Sequence, residues 1–157
     1  MKRLLTAIVC CLVAGGAVAE NLWTRDDWLI IGLGDVEKTV GFVRGVDERI
    51  DGSIHSFWVV WVNSNPTKPY DMEMTLTKAN CKTGQLQQGQ STWYLRRRYY
   101  DSDDSVSNWK YPNPGSLGEA IYDVVCKGAS SDGNVKAEDA FDLVPIGKRI
   151  LRENRVR

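Results

Sequence analysis

The sequence predicts an α+β fold: an antiparallel β-sheet of about five to six strands with a C-terminal helix packed on it, fastened by one disulfide, Cys81–Cys126. Three observations carry this. Between Trp28 and Asp101 the apolar residues recur mostly at strand spacing, and a capped helical pattern follows from Ser116 to Gly128. An exported chain with two cysteines left after processing is expected to join them.

Export is read from the first 20 residues. Lys2 and Arg3 give a positive start, Leu4 to Val18 carry no charge, and Ala17-Val18-Ala19 offers small residues to a signal peptidase ahead of Glu20. Residues 1–19 are therefore expected to be a cleaved secretory signal peptide. The apolar run is short for a membrane span of about 20 residues, so stable membrane insertion is not expected after cleavage. Cys10 and Cys11 lie inside the run, with most of it after them, and read as apolar filler rather than as a lipidation site. The remainder suits one domain. Cleavage removes two of the 20 basic residues and none of the 20 acidic ones, which puts the mature chain two charges to the negative side. Such a balance speaks against general nucleic-acid binding, which rests on phosphate neutralisation.

The strands are expected in order. Trp28-Leu29-Ile30-Ile31 is a short apolar run closed by a turn at Gly32-Leu33-Gly34, Thr39 to Val46 is a second strand, and Asp51-Gly52 is a turn pair. Phe57-Trp58-Val59-Val60-Trp61-Val62 is apolar on both alternating faces, as in a central strand covered by a helix on one side and by a subunit or loop on the other. Trp58 and Trp61 point to opposite faces, and one of them is expected at a dimer interface or groove. After the polar connection Asn63 to Pro69, Met72, Met74 and Leu76 alternate with Asp71, Glu73, Thr75 and Thr77, which reads as one buried and one wet face. A strand from about Gln87 to Tyr100 follows, then a short edge strand from Val106 to Tyr111 stopped by Pro112 and Pro114.

Ser116 with Glu119 three residues on makes a capping box. Leu117, Ile121, Val124 and Val125 form one stripe at helical spacing, and Gly128 ends it. Cys126 in its last turn would tie the helix to Cys81 at the end of the fourth strand, for roughly 4 kcal/mol in the chain-entropy model. Val135 to Leu143 reads as a short amphipathic turn or helix broken by Pro145. Gly147 to Arg157, with Lys148, Arg149, Arg152, Arg155 and Arg157, reads as a second helix or a frayed tail.

Catalysis finds little support. His55 is the one histidine, and nothing places it beside a nucleophile and an orienting carboxylate. One histidine and two oxidised cysteines fall short of a zinc site. Gly115-Ser116-Leu117-Gly118 lacks the spacing of a nucleophile elbow, and Gly32-Leu33-Gly34 lacks the third glycine of a dinucleotide loop. Asp101-Ser102-Asp103-Asp104 lacks the glycine and terminal glutamate of a calcium loop and reads as a solvated acidic loop. No carboxylate pair stands out for glycoside hydrolysis. No catalytic, cofactor-binding or metal-ligating residue is expected.

Two features favour binding to a protein. In Tyr94-Leu95-Arg96-Arg97-Arg98-Tyr99-Tyr100, a strand would set Arg96 and Arg98 on one face with Tyr94 and Tyr100, a composition enriched at interaction hot spots. The plainer reading is a basic strand neutralised by Asp101, Asp103 and Asp104. The second feature is the basic C-terminal tail, which could meet an acidic partner, a membrane surface or only solvent.

The pattern resembles the bacterial surface-adhesin protein E-like domain family from about Trp28 to Cys126. The resemblance rests on the early Trp strand, the Ser53-Ile54 step into Phe57–Val62, and the Tyr70 strand ending at Cys81. It also takes in Pro114-Gly115-Ser116 before a short helix ending in Val125-Cys126. It implies an antiparallel sheet with a packed helix, often dimeric, and adhesion to host extracellular-matrix and serum proteins such as vitronectin, laminin and plasminogen. The segment after Cys81 through Arg96-Arg97-Arg98 is the implied contact. Cys10 and Cys11 do not match the family's lipidation cysteine convincingly, and the chain extends beyond Cys126. The domain plan is then signal peptide 1–19, adhesin domain 20–128 and a C-terminal extension 129–157. An exported, non-catalytic, adhesin-like binding protein, periplasmic or at the cell surface and either a monomer or a homodimer, is the expected function. The alternative is a periplasmic accessory or inhibitor protein docked on another envelope protein.

Overall fold

The computed structural model describes residues 27–34, 38–50, 53–129 and 131–154, with only the backbone of 46–50. The signal-peptide expectation, the Asp51-Gly52 turn, Arg155 and Arg157 lie outside the described residues. Seven strands form one antiparallel sheet: β1 (Trp28–Gly34), β2 (Thr39–Ile50), β3 (Ile54–Asn63), β4 (Met72–Asn80), β5 (Gln85–Leu95), β6 (Arg98–Asp103) and β7 (Gly133–Val135). Their order is β6-β5-β4-β3-β2-β1-β7, so successive strands are neighbours until β7 returns to the far side of β1. Among the described residues, helices α1 (Leu117–Lys127) and α2 (Leu143–Glu153) pack with this sheet.

The sheet is covered on both faces. Period-two alternation on β3 sends Phe57, Val59 and Trp61 to one side, where they meet Ile121, Val124 and Val125 of α1. Trp58, Val60 and Val62 go to the other, where Leu143 and Leu151 of α2 close over Val40, Phe42 and Met72. The central strand is thus covered by a second helix, where the sequence pointed to a subunit or loop. Gly147 allows α2 to sit this close: a Cβ there would come within 2.7 Å of Val62 Cβ. Pro145 does not break that helix. It lies in the first turn, where no intrahelical N–H is needed.

Helix α1 begins as the sequence predicts. Ser116 Oγ accepts from Glu119 N at 3.2 Å, and Gly128 ends the helix at φ 64°. Glu119 Oε2 reaches back to Gly115 N (2.7 Å) rather than to the cap residue itself. Cys126 is bonded to Cys81, immediately after β4, with Cα atoms 5.3 Å apart.

Several expectations are corrected. The stretch 87–100 is not one strand: it turns back at Arg96-Arg97 to make the β5–β6 hairpin. Residues 106–111 do not form an edge strand, because only Lys110 bridges to Leu86; Ser107 also exchanges bonds with Gln88, so the segment is a strap along β5. The face of β4 read as wet is buried, with Thr75 and Thr77 beneath the α1 side of the sheet. Gly32-Leu33-Gly34 is not a turn but the end of β1, with a bulge between Ile30 and Gly32. Asp101 to Asp103 belong to β6 rather than to a loop. Asp139 caps a 3-10 turn at Ala140–Asp142 that leads directly into α2.

Candidate functional site

The hairpin tip is built by a two-residue turn. Arg96 and Arg97 have φ of 51° and 66°, so both stand in the left-handed region that two-residue hairpins require and that Asn-Gly ordinarily fills. Leu95 pairs with Arg98 and Tyr94 with Tyr99, and the register then shifts beside Trp93. Tyr100 falls at that irregularity.

The four residues singled out from the sequence do not share one strand face. Tyr94 points to the α2 side, half-buried, in edge-to-face contact with Phe141 at 5.0 Å. Arg96 is at the turn, while Arg98 and Tyr100 lie on the exposed β6. What the hairpin brings together at its surface is Arg96 and Arg98 with Leu95, Tyr99 and Tyr100, all exposed.

The middle arginine is used differently. Arg97 Nη2 lies 3.0 Å from Asp139 Oδ2 and Nη1 3.6 Å from Asp142 Oδ1, with its guanidinium 5.3 Å over the Phe141 ring. Neutralisation of the basic run thus comes from the turn before α2, not from Asp101, Asp103 and Asp104. Asp103 instead accepts from Ser105 N (2.8 Å) and Ser105 Oγ (2.9 Å), and these bonds, the backbone one first, hold its carboxyl below the usual range. Among the described residues neither Arg96 nor Arg98 makes an ion pair. The signal separating Arg97 from its neighbours was absent from the local sequence, because its partners lie 42 and 45 residues away in the chain.

The hairpin is held from beneath by Asp71. Its backbone N donates to Tyr94 O (3.0 Å), its Oδ1 accepts from Arg96 N (3.3 Å), and its Oδ2 meets Lys148 Nζ of α2 at 3.0 Å. One buried carboxylate therefore joins the start of β4, the turn and α2. Of the basic tail, Lys148 is spent in this contact, while Arg149 and Arg152 are exposed. His55 stands on β3 opposite Ala79 and Arg49, away from the hairpin. Among the described residues no group of three or more metal-ligating side chains occurs, and no helix is long and apolar enough to cross a membrane.

With the disulfide, the sheet and the capped helix in place, the family model for surface-adhesin protein E matches residues 35–127. The chain belongs to the surface-adhesin protein E family. Comparison with curated proteins and with solved structures gives no further match. Family membership marks this protein E relative as a binding protein of the exported or cell-surface kind rather than an enzyme. The matched span contains the whole of β5, β6 and α1 and stops before β7 and α2.

Proposed function

We propose that this protein E family member is an exported, non-catalytic binding protein that contacts a host extracellular-matrix or serum protein through the tip of the β5–β6 hairpin. The carrying observation is the surface there: Arg96 and Arg98, which make no ion pair among the described residues, set among exposed Leu95, Tyr99 and Tyr100. Arginine offers a bidentate fork and tyrosine a rigid amphipathic ring, and the pair recurs where protein interfaces concentrate their energy.

The turn supports the same reading. Two consecutive arginines occupy a conformation that glycine or asparagine adopts with less strain. Strain of this kind persists where side chains are needed at that place, and here one arginine anchors the tip while its neighbour faces solvent.

The test is binding of the mature chain to immobilised vitronectin, laminin and plasminogen, with Arg96→Ala/Arg98→Ala beside wild type. The double variant is expected to weaken binding by about tenfold or more, equivalent to roughly 1.4 kcal/mol. Added salt is expected to weaken the wild type as it screens the exposed charges. Binding indifferent to both changes would remove the hairpin tip as the contact.

A further inference from the structure

The α1 face of the sheet carries a second surface that the hairpin does not use. Gly41 on β2, Trp61 on β3, Glu73 on β4 and Trp93 on β5 are direct cross-strand partners. Residues so paired project from the same face, which sets a carboxylate between two indoles. The six-membered ring of Trp61 fills the space above Gly41: a Cβ there would lie 2.5 Å from Cζ3. Tyr70 adds a third ring, its centroid 6.0 Å from that of Trp93. The first turn of α1 and the strap through Lys110 and Tyr111 overhang Trp61 and Glu73, enclosing a cleft of about 580 Å³.

The polar groups of this cleft are arranged in advance. Glu73 Oε1 accepts from Thr75 Oγ1 (3.2 Å), itself 3.0 Å from Ser91 Oγ, which fixes the carboxylate, and Oε2 makes no hydrogen bond among the described residues. Burial, and then the charge of Glu73, push the Tyr70 phenol above its ordinary value, so at neutral pH it keeps its proton and can donate. The Thr39 hydroxyl, buried in the wall, has no hydrogen-bond partner among the described residues.

We propose that this cleft binds a short pyranoside oligosaccharide. A pyranose ring has apolar C–H faces that lie on aromatic rings and a rim of hydroxyls that hydrogen-bond in the ring plane. The Trp61 indole and the Tyr70 phenol, lining the cleft beside a fixed carboxylate, answer both at once. Other ligand classes fit less well. An acyl chain or flat apolar molecule would desolvate Glu73 without giving it a donor. A phosphate would meet Glu73 together with Lys68 and Lys110, which line the same cleft, but it has no apolar face to lay on Trp61 and Tyr70. An extended peptide added as a strand needs a free sheet edge, and the edge of β5 is already taken by the strap at Leu86–Gln88 and by β6 from Ser91 onward. The inference is independent of the hairpin reading, because the cleft shares no residue with the exposed tip.

The test is tryptophan fluorescence of the disulfide-intact mature protein, titrated with triacetylchitotriose for wall-type glycans and with lactose and 3′-sialyllactose for mammalian ones. A saturable change with at least one probe below about 10 mM is expected, and the responding probe identifies the source. Glu73→Gln is expected to weaken that binding about tenfold. Tyr111→Ala removes a rim ring that is 69% exposed and is expected to weaken binding without affecting folding. Arg96→Ala/Arg98→Ala is expected to leave it unchanged. No response to any of the three probes would overturn the proposal. So would a response that persists at wild-type strength in Glu73→Gln and Tyr111→Ala, or one elicited only by peptides.

Discussion

At the scale of single residues, Arg96 separates two demands that usually coincide. Its backbone is strained at φ 51°, while its side chain makes no ion pair among the described residues. Arg97, beside it, is equally strained but returns part of that through Asp139, Asp142 and the face of Phe141. Arg96→Gly should therefore relax the turn without breaking a contact, raising stability by about 1 kcal/mol. If the tip is the contact surface, the same substitution should weaken binding to the host protein. Urea unfolding and surface binding of one variant would thus move in opposite directions. A variant both less stable and equally adhesive would contradict the assignment of strain and of role together. Arg97→Ala is the useful contrast, since it removes an exposed ion pair worth at most about 1 kcal/mol and loosens the tip rather than the contact.

At the scale of elements, the second helix explains what the first alone cannot. Leu143, Gly147 and Leu151 recur at helical spacing and are all buried against β2 and β3. Leu143 is fully enclosed, so Leu143→Ala should lower stability by about 2–5 kcal/mol, read as a shift of the urea midpoint. A change below 1 kcal/mol would mean that α2 contributes little to the fold, against the geometry. This helix was only half legible in the sequence. Its basic residues, Lys148, Arg149 and Arg152, read equally as a second helix or as a frayed tail, and Pro145 read as a stop, because a proline in a first turn looks the same as one beyond an end. By contrast α1 could be bounded from Ser116, Glu119 and Gly128, since caps act within three or four residues. The apolar run of β3 likewise announced a strand covered on both sides. The hairpin was missed for a physical reason: its turn uses two arginines where the usual signal is Asn-Gly, and nothing local marks them as a reversal. The burial of Thr75 and Thr77 was missed because threonine serves a covered strand as well as a wet one. Of the site, the Arg–Tyr composition was visible in the sequence. The Trp61–Glu73–Trp93 row was not, because it exists only through the register of three strands.

At the scale of the molecule, the disulfide closes the segment that holds the hairpin tip and the roof of the cleft, whose floor at Trp61, Tyr70 and Glu73 precedes Cys81. Between Cys81 and Cys126 run β5, the hairpin tip, β6, the strap and α1, a separation of 45 residues. The two surfaces depend on that closure unequally. The hairpin is also fastened from the opposite face, through Asp71 to Lys148 and through Arg97 to the turn before α2. The cleft has its roof on α1, which reaches the sheet through Ile121, Val124 and Val125 and through the bond at Cys126. Opening the bond in Cys81→Ser/Cys126→Ser, or by reductant, should cost roughly 4 kcal/mol of stability, as the unfolded chain regains the freedom of the loop. The urea midpoint of the variant should fall accordingly and become insensitive to reductant, while that of the wild type falls on reduction. Under conditions where the reduced protein is still folded, saccharide-induced fluorescence should weaken before adhesion through Arg96 and Arg98 does. Equal loss of both would show that α1 and the hairpin move as one unit. A midpoint unchanged by reduction would show that α1 is held to the sheet by its apolar face alone, and that the disulfide guards against a fate other than unfolding.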